Sequence, residues 1–438
     1  MVRHVEYLNL LPIEIIKDIF DLCLEALGDS EAPPSAVRKA KSIFSTRACL
    51  MQVSKSWKTL VETTPSMWTT ILVLQSNEVE WRIKYAEDSV IRSHPLPIDV
   101  IIRMPRSPNN TIKAFMGFLS DYVERLRIFM GQVLLEVSIP IRPAFPIVNE
   151  LFRPRTKHSI TLPYLHSFEA WTSRCDAELF PHINAPALDS ISLHGRVIDF
   201  ISTLDQFSLA RITSLSLSGT LTWAGLFLVS HCVSLRRFQY NGGRPIGSPD
   251  LQAPLPITLP LLEELRNLEE DVNSFWLGQY FILPKLTKLS YRTFFHSGDS
   301  SATLGTIRAF SSTLNELSLN AITLYGTGDH NETPHYPDLR KLTIARGRLG
   351  FGFLETLNAQ DSTDIPFFPV LEELVFNKSE DIDVSELGKF LNIRKALFAD
   401  TNWASSVKLV FKGMDAKKNN SPLIEALRKQ NFEVELLP

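Results

Sequence analysis

Residues 314–319 read LNELSL and residues 339–344 read LRKLTI. Both have the form apolar-x-x-apolar-x-apolar. In an extended chain successive side chains point to opposite faces, so the last two apolar residues share one face and the residues between them point the other way. The heading recurs as LHSFEA from Leu165, LDSISL from Leu188, ITSLSL from Ile212, LRRFQY from Leu235, LEELRN from Leu262, LTKLSY from Leu286 and LEELVF from Leu371. From Leu165 on, successive headings start 23, 24, 23, 27, 24, 28, 25 and 32 residues apart. An earlier VERLRI begins at Val123. An ordinary α/β sheet does not predict such near-constant spacing. One unit of this kind cannot bury its own apolar edge, so neighbours must stack.

A period of about 25 residues headed L-x-x-L-x-L resembles the leucine-rich repeat. The resemblance implies an α/β solenoid, with a curved parallel sheet and outer helices returning the chain. The ninth position, usually Asn or Cys in that repeat, is Arg196, Thr220 and Gly243 in three copies, so the repeat is degenerate. YNGGRPIGSPDLQAPLP and YGTGDHNETPHYP are inserted loops. The predicted repeat domain spans 69–438, with irregular first repeats over 69–160. There PLPIDVIIRM predicts a strand and NTIKAFMGFLSDYVERL a helix. SSVKLVFKG and FEVELL predict closing strands, and PLIEALRKQ a helix between them.

Residues 1–68 form a different, helical region. LNLLPIEIIKDIF, residues 8–20, is apolar, but Glu6 precedes it, Pro12 and Glu14 interrupt it, and Lys17 and Asp18 follow. That argues against a signal peptide, and no stretch reaches the roughly 18 apolar residues of a membrane helix. Pro12 instead suits a helix start, and Glu14 suits the first turn. Ile15, Ile19, Cys23 and Leu27, beside Ile16, Phe20 and Leu24, make a wide apolar stripe, and Gly28 is a natural stop. Residues 28–45, polar and proline-containing, predict a loop with at most a short helical turn. TRACLMQVSKSWKTLVETTP predicts one second helix, with Leu50, Val53, Trp57 and Leu60 on one face and Lys55 and Lys58 pointing away. Pro65 ends it, and a strand follows over Thr69 to Leu74.

These residues resemble the F-box. The match is Leu11-Pro12-x-Glu14-Ile15, Ile19-Phe20, Leu50-x-x-Val53-Ser54-x-x-Trp57-x-x-Leu60 and Pro65-x-x-Trp68. The chain departs from the family in having Ser54 where Cys is frequent, and in its long 28–45 loop. Loops of that length are similar to those of F-box proteins from mushroom-forming fungi. The resemblance implies docking on a Skp-type adaptor and, through it, a cullin. Leu11, Pro12, Ile15, Ile19, Leu50, Val53 and Trp57 would carry or support that docking. A few short helices have little core of their own and need a partner surface.

Lys and Arg number 45 and Asp and Glu 48, a net charge of −3. That balance predicts neither nucleic-acid nor membrane binding. Cys23, Cys49, Cys175 and Cys232 include no C-x-x-C pair, which fits a reducing, cytoplasmic or nuclear compartment. Asn-x-Ser/Thr matches at Asn109, Asn331, Asn377 and Asn419 carry weight only in a secreted chain. No G-x-x-x-x-G-K-[ST], H-E-x-x-H or G-x-S-x-G is present. GRLGFG from Gly347 predicts the turn leaving a strand. Asp329, His330, Glu332 and His335 are metal-capable types in a polar surface loop. His231 and Cys232, adjacent on an extended stretch, would face opposite ways and form no nucleophile pair. No catalytic residue, cofactor or metal is predicted.

What remains is a binding surface. Residues pointing outward from the strands would line a concave face, among them Trp171, Arg237, Arg266, Lys288, Arg292 and Lys341. Their excess of cations predicts an acidic or phosphorylated protein partner. The expected function is the non-catalytic substrate-recognition subunit of a Skp–cullin–F-box ubiquitin ligase. The alternative is an F-box scaffold not coupled to ubiquitination.

Overall fold

Each heading leads into a strand, and within each compact unit the long strands pair in parallel in chain order. This computed structural model describes residues 11–23, 33–74, 79–104, 110–133, 151–152, 159–172, 182–195, 201–219, 221–242, 256–270, 280–293, 310–320, 323–324, 335–346, 348–349, 353–358, 368–378, 384–399, 407–413, 425, 427–429 and 432–437. By its contacts the chain falls into two compact units, Met1–Gly219 and Thr220–Pro438.

The sheet of the first unit contains β1 (Thr70–Leu74), β2 (Ile98–Met104), β3 (Leu126–Val133), β4 (Ser167–Thr172), β5 (Ser190–Gly195) and β6 (Ser214–Ser218). They pair in chain order, all parallel. The second unit contains β7 (Arg237–Asn241), β8 (Glu264–Glu270), β9 (Lys288–Thr293), β10 (Glu316–Asn320), β11 (Lys341–Ala345), β12 (Glu373–Asn377), β13 (Lys408–Lys412) and β14 (Val434–Leu437). These also pair in chain order and in parallel. The leucines of a heading sit in register from strand to strand, as Leu289 with Leu317 and Leu317 with Leu342.

A proline turn sets up many of these strands. In LPYL, APAL, LPLL, LPKL, YPDL and FPVL the heading's first leucine donates its N–H to the carbonyl three residues back. The bonds run from Leu165 to Leu162, Leu188 to Ala185, Leu262 to Leu259, Leu286 to Leu283, Leu339 to Tyr336 and Leu371 to Phe368, at 3.0–3.5 Å. Proline in the second position of a four-residue turn is pre-set for it. Both ends of each turn are buried, so the turn anchors the repeat to its neighbours.

The connections differ from the expected run of outer helices. Some are helical: α4 (Val79–Arg92), α5 (Asn110–Leu119), α6 (Gln206–Arg211), α7 (Trp223–Val229), α8 (Phe353–Asn358) and α9 (Val384–Phe398). Several carry a two-residue strand, paired in parallel with its counterpart in a neighbouring repeat. These are Ile160–Thr161 with Ile183–Asn184, Ile257–Thr258 with Phe281–Ile282, and Thr323–Leu324 with Arg348–Leu349. Arg348–Leu349 lies within the segment expected to be a glycine-rich turn. Positions 425 and 427–429 are helical, between β13 and β14.

The N-terminal helices correct two expectations. They are α1 (Ile13–Cys23), α2 (Pro33–Val53) and α3 (Lys55–Thr63). Pro12 stands one position before α1, its carbonyl accepting the Ile16 N–H at 3.2 Å. Much of the expected 28–45 loop is helix α2. Its two prolines occupy the first turn, where a missing N–H is tolerated, and Val37, Ala40, Ile43 and Arg47 bury one side. Tertiary packing outweighs the weak local signal. The single helix expected over 46–65 is broken at Ser54, which has extended dihedrals and caps α3 by accepting the Trp57 N–H at 3.2 Å.

Helix α2 covers one face of the first strands. Val37 and Ala40 pack with Ile101, Ile128 and Met130, against Leu72 and Leu74. The opposite face of β1, Ile71 and Val73, is buried as well. Val100, Ile101 and Ile102 of β2 are all fully buried. A strand covered on both faces is a continuous apolar run, which is why the repeat pattern fades over 69–160.

Candidate functional site

Two surfaces carry the residues singled out in the sequence. The first is the N-terminal helical module. Ile16 and Phe20 of α1 turn inward to join Trp57, Leu60, Val61, Met67 and Trp68, with Leu11, Leu50 and Met51 packed against them. Phe20 meets Trp57 edge-on at 5.0 Å. The Trp68 indole N–H donates to the Val61 carbonyl at 2.8 Å. Its ring lies within 4.6 Å of the Arg47 guanidinium and 4.7 Å of that of Arg92.

The core uses only part of the α1 stripe. Ile13 is 51% exposed, Ile15 45%, Leu22 80%, and Val53 at the end of α2 40%. Among the predicted docking residues, Pro12, Ile15 and Val53 are exposed, while Leu11, Ile19 and Leu50 are half-buried. Trp57 is buried and supports the module from inside. Ile13 and Leu22 are added by the structure. A helical wheel of α1 alone does not separate the side facing the core from the side left open.

Arg47 fixes α2 to the strands. It is buried and donates to the Tyr85 hydroxyl and the Thr70 carbonyl, each at 3.2 Å. Burial pushes its pKa down from the usual arginine value, opposed by Tyr85. Another buried charge, Asp99 on β2, receives two bonds from Arg127 at 2.8 and 2.5 Å.

The second surface is the outward face of the strands. In the second unit its first row reads Arg237, Glu264, Lys288, Glu316, Lys341, Glu373 and Lys408 on successive strands, with Glu433 immediately before β14. The sign alternates at every step. Lys288 meets Glu316 at 2.8 Å, Lys341 meets Glu373 at 2.9 Å, and Lys408 meets Glu435 at 2.9 Å and Glu433 at 3.6 Å. Arg266 pairs with Glu264 at 2.5 Å. Hydrogen bonding to Glu316 raises the Lys288 pKa, and to Glu435 that of Lys408. The cations counted in the sequence are thus interleaved with glutamates. A shallow basin of about 150 Å³ opens beside them, among Glu264, Arg266, Lys288, Ser290, Glu316 and Ser318. There the pairing of β8 with β9 shifts register between Leu265 and Leu268.

The matching face of the first unit is uncharged at β5 and β6. Ser190, Ser192 and His194 pair in register with Ser214, Ser216 and Ser218, all half-buried. The Ser192 hydroxyl lies 3.4 Å from His194 Nε2. Burial pushes the His194 pKa down, which favours neutral imidazole at pH 7. Arg237 is exposed on β7. Trp171 and Arg292 lie on β4 and β9, and their side chains fall outside the described residues.

Among the described residues no group of three or more His, Cys, Asp or Glu is placed to hold a metal ion. Asp329, His330 and Glu332 lie outside them. His231 sits in the turn after α7, not on an extended stretch, and the Cys232 N–H bonds the Val229 carbonyl at 3.0 Å. Burial pushes the Cys232 thiol up to about 12, so it holds its proton at neutral pH. Among the described residues no helix is long and apolar enough to cross a membrane.

Compared with known proteins, the chain matches no family model and no curated protein.

Proposed function

We propose that this chain is the non-catalytic substrate-recognition subunit of a Skp–cullin–F-box ubiquitin ligase. Helices α1–α3 dock a Skp-type adaptor, and the outward strand face holds a partner protein. The observation that carries this reading is the exposed apolar side of a small helical module with a complete core. Ile13, Ile15, Leu22 and Val53 stay open while Ile16, Phe20, Trp57 and Trp68 fill the interior. Apolar residues exposed on the segment that resembles the F-box are what a docking helix needs.

The subunit makes and breaks no bonds. It raises the effective concentration of a substrate lysine near a ubiquitin-charged transferase. On the strand face, an acidic or phosphorylated partner has to displace Glu264, Glu316 or Glu373 from their cations. Hydrogen bonds from the serine rows and shape fit at the basin therefore contribute alongside charge.

The test is co-purification with a Skp-type adaptor, followed by reconstitution of the ligase with proteins captured on the strand face. A stable complex and ubiquitin on a captured protein support the reading. A stable complex with every captured protein unmodified favours the scaffold. No complex removes the docking assignment.

A further inference from the structure

Helix α2 belongs to two packing clusters at once. Leu50 and Met51, near its end, pack with the docking core around Phe20, Trp57 and Trp68. Val37 and Ala40, near its start, pack on β1, β2 and β3. Ala40 and Leu50 are ten residues apart, about 15 Å along a helix. Between them Arg47 bonds the Thr70 carbonyl at the head of β1 and the Tyr85 hydroxyl on α4.

The strand positions under α2 have a specific identity. Leu72 pairs with Ile101 and Ile101 with Met130; the row continues through Glu169 and Ser192 to Ser216. Over its first three strands α2 therefore covers the same face whose side chains stay half-exposed at β5 and β6. Without it, Leu72, Leu74, Ile101, Ile128 and Met130 would form an open apolar patch.

We propose that α2 is a coupling element: a ligand docked on α1–α3 stabilises the packing of α2 on β1–β3 and so holds the first edge of the strand face closed. The inference rests on the docking reading for its ligand and on the two clusters for its path. One helix that must be ordered in both clusters gives the two sites a shared equilibrium. Adaptor binding then shifts the population in which β1–β3 are covered.

Amide hydrogen exchange on the full chain, free and with a purified Skp-type adaptor, tests this. Exchange is expected to slow over 70–74, 98–104 and 126–133 as well as over 13–63, with 316–320 and 341–345 unchanged. Slowing confined to 13–63 overturns the proposal. Val37→Asp, and the milder Val37→Ala, supply a second measurement on the sheet-facing side of α2. Each is expected to speed exchange in 55–63 as well as in 98–104 in the free chain. For Val37→Asp, adaptor affinity is expected to fall about tenfold, within the usual range of coupling between sites. Faster exchange in the strands alone, with 55–63 and adaptor affinity unchanged, overturns it. If the unaltered chain binds no adaptor, the docking reading fails. The free-chain comparison of the Val37 variants then decides the coupling by itself.

Discussion

Strands β1–β3 and strands β9–β11 share a backbone pattern but differ in what covers them. In β10 the burial alternates: Leu317 and Leu319 are buried, while Glu316, Ser318 and Asn320 are half-exposed. In β2 there is no alternation, and Val100, Ile101 and Ile102 are all fully buried. The cause is α2, which seals the face that the later strands leave to solvent. The same backbone register therefore leaves a half-exposed face in one place and builds a second core in another. Which of the two forms is decided by a helix far from the strands in sequence.

The largest expected effect breaks this contrast directly. Ile101→Asp places a carboxylate between α2 and the sheet, and it should cost on the order of 4 kcal/mol or prevent folding of the first unit. Ser318→Asp, on the half-exposed face of β10, should change stability by no more than about 0.5 kcal/mol. Chemical denaturation of both variants measures the difference. Equal costs would mean that the two faces are alike.

Next in size is Arg47→Ala. It removes two hydrogen bonds and the guanidinium over Trp68. A loss of about 2 kcal/mol is expected from one buried, charged donor set. Exchange should rise first at β1 and α2. No change in stability would remove Arg47 as the link between helix and strand.

The smallest effect is expected on the half-exposed strand face. Lys341→Glu puts a third carboxylate beside Glu316 and Glu373 in the alternating row. About 0.5–1 kcal/mol of destabilisation is expected from a half-exposed cross-strand mismatch. Glu373→Lys in the same chain should recover part of it. Failure of the rescue would show that the alternation does not pair these strands.

Where alternation survives, the fold was legible. The headings from Leu165 to Leu371 all begin strands because their leucines have one buried face to fill. The first part of α2, up to Ser45, was not legible, since Pro33, Pro34 and the polar residues after them give a loop signal. Packing of Val37 and Ala40 against Ile101 and Ile128 favours helix there. The charge row was present in the sequence at the third position of each heading from Leu235 to Leu371. It shows only when that position is compared across repeats, because alternation belongs to the sheet and to no single strand. At the N-terminal helical module the sequence named Pro12, Ile15 and Val53 as docking candidates, and all three are exposed. It placed Trp57 with them, since one helical face cannot distinguish contact with a partner from contact with Phe20.

Calorimetric titration of a purified Skp-type adaptor into the full chain asks whether the open side of α1 is a docking surface. Ile15→Asp changes an exposed side chain and leaves Ile16 and Phe20 in place. We expect the unaltered chain to bind and Ile15→Asp to lose at least about tenfold in affinity, roughly 1.4 kcal/mol, with an unchanged melting temperature. Equal affinity of the two chains, or no binding by either, would mean that the open side of α1 does not dock the adaptor.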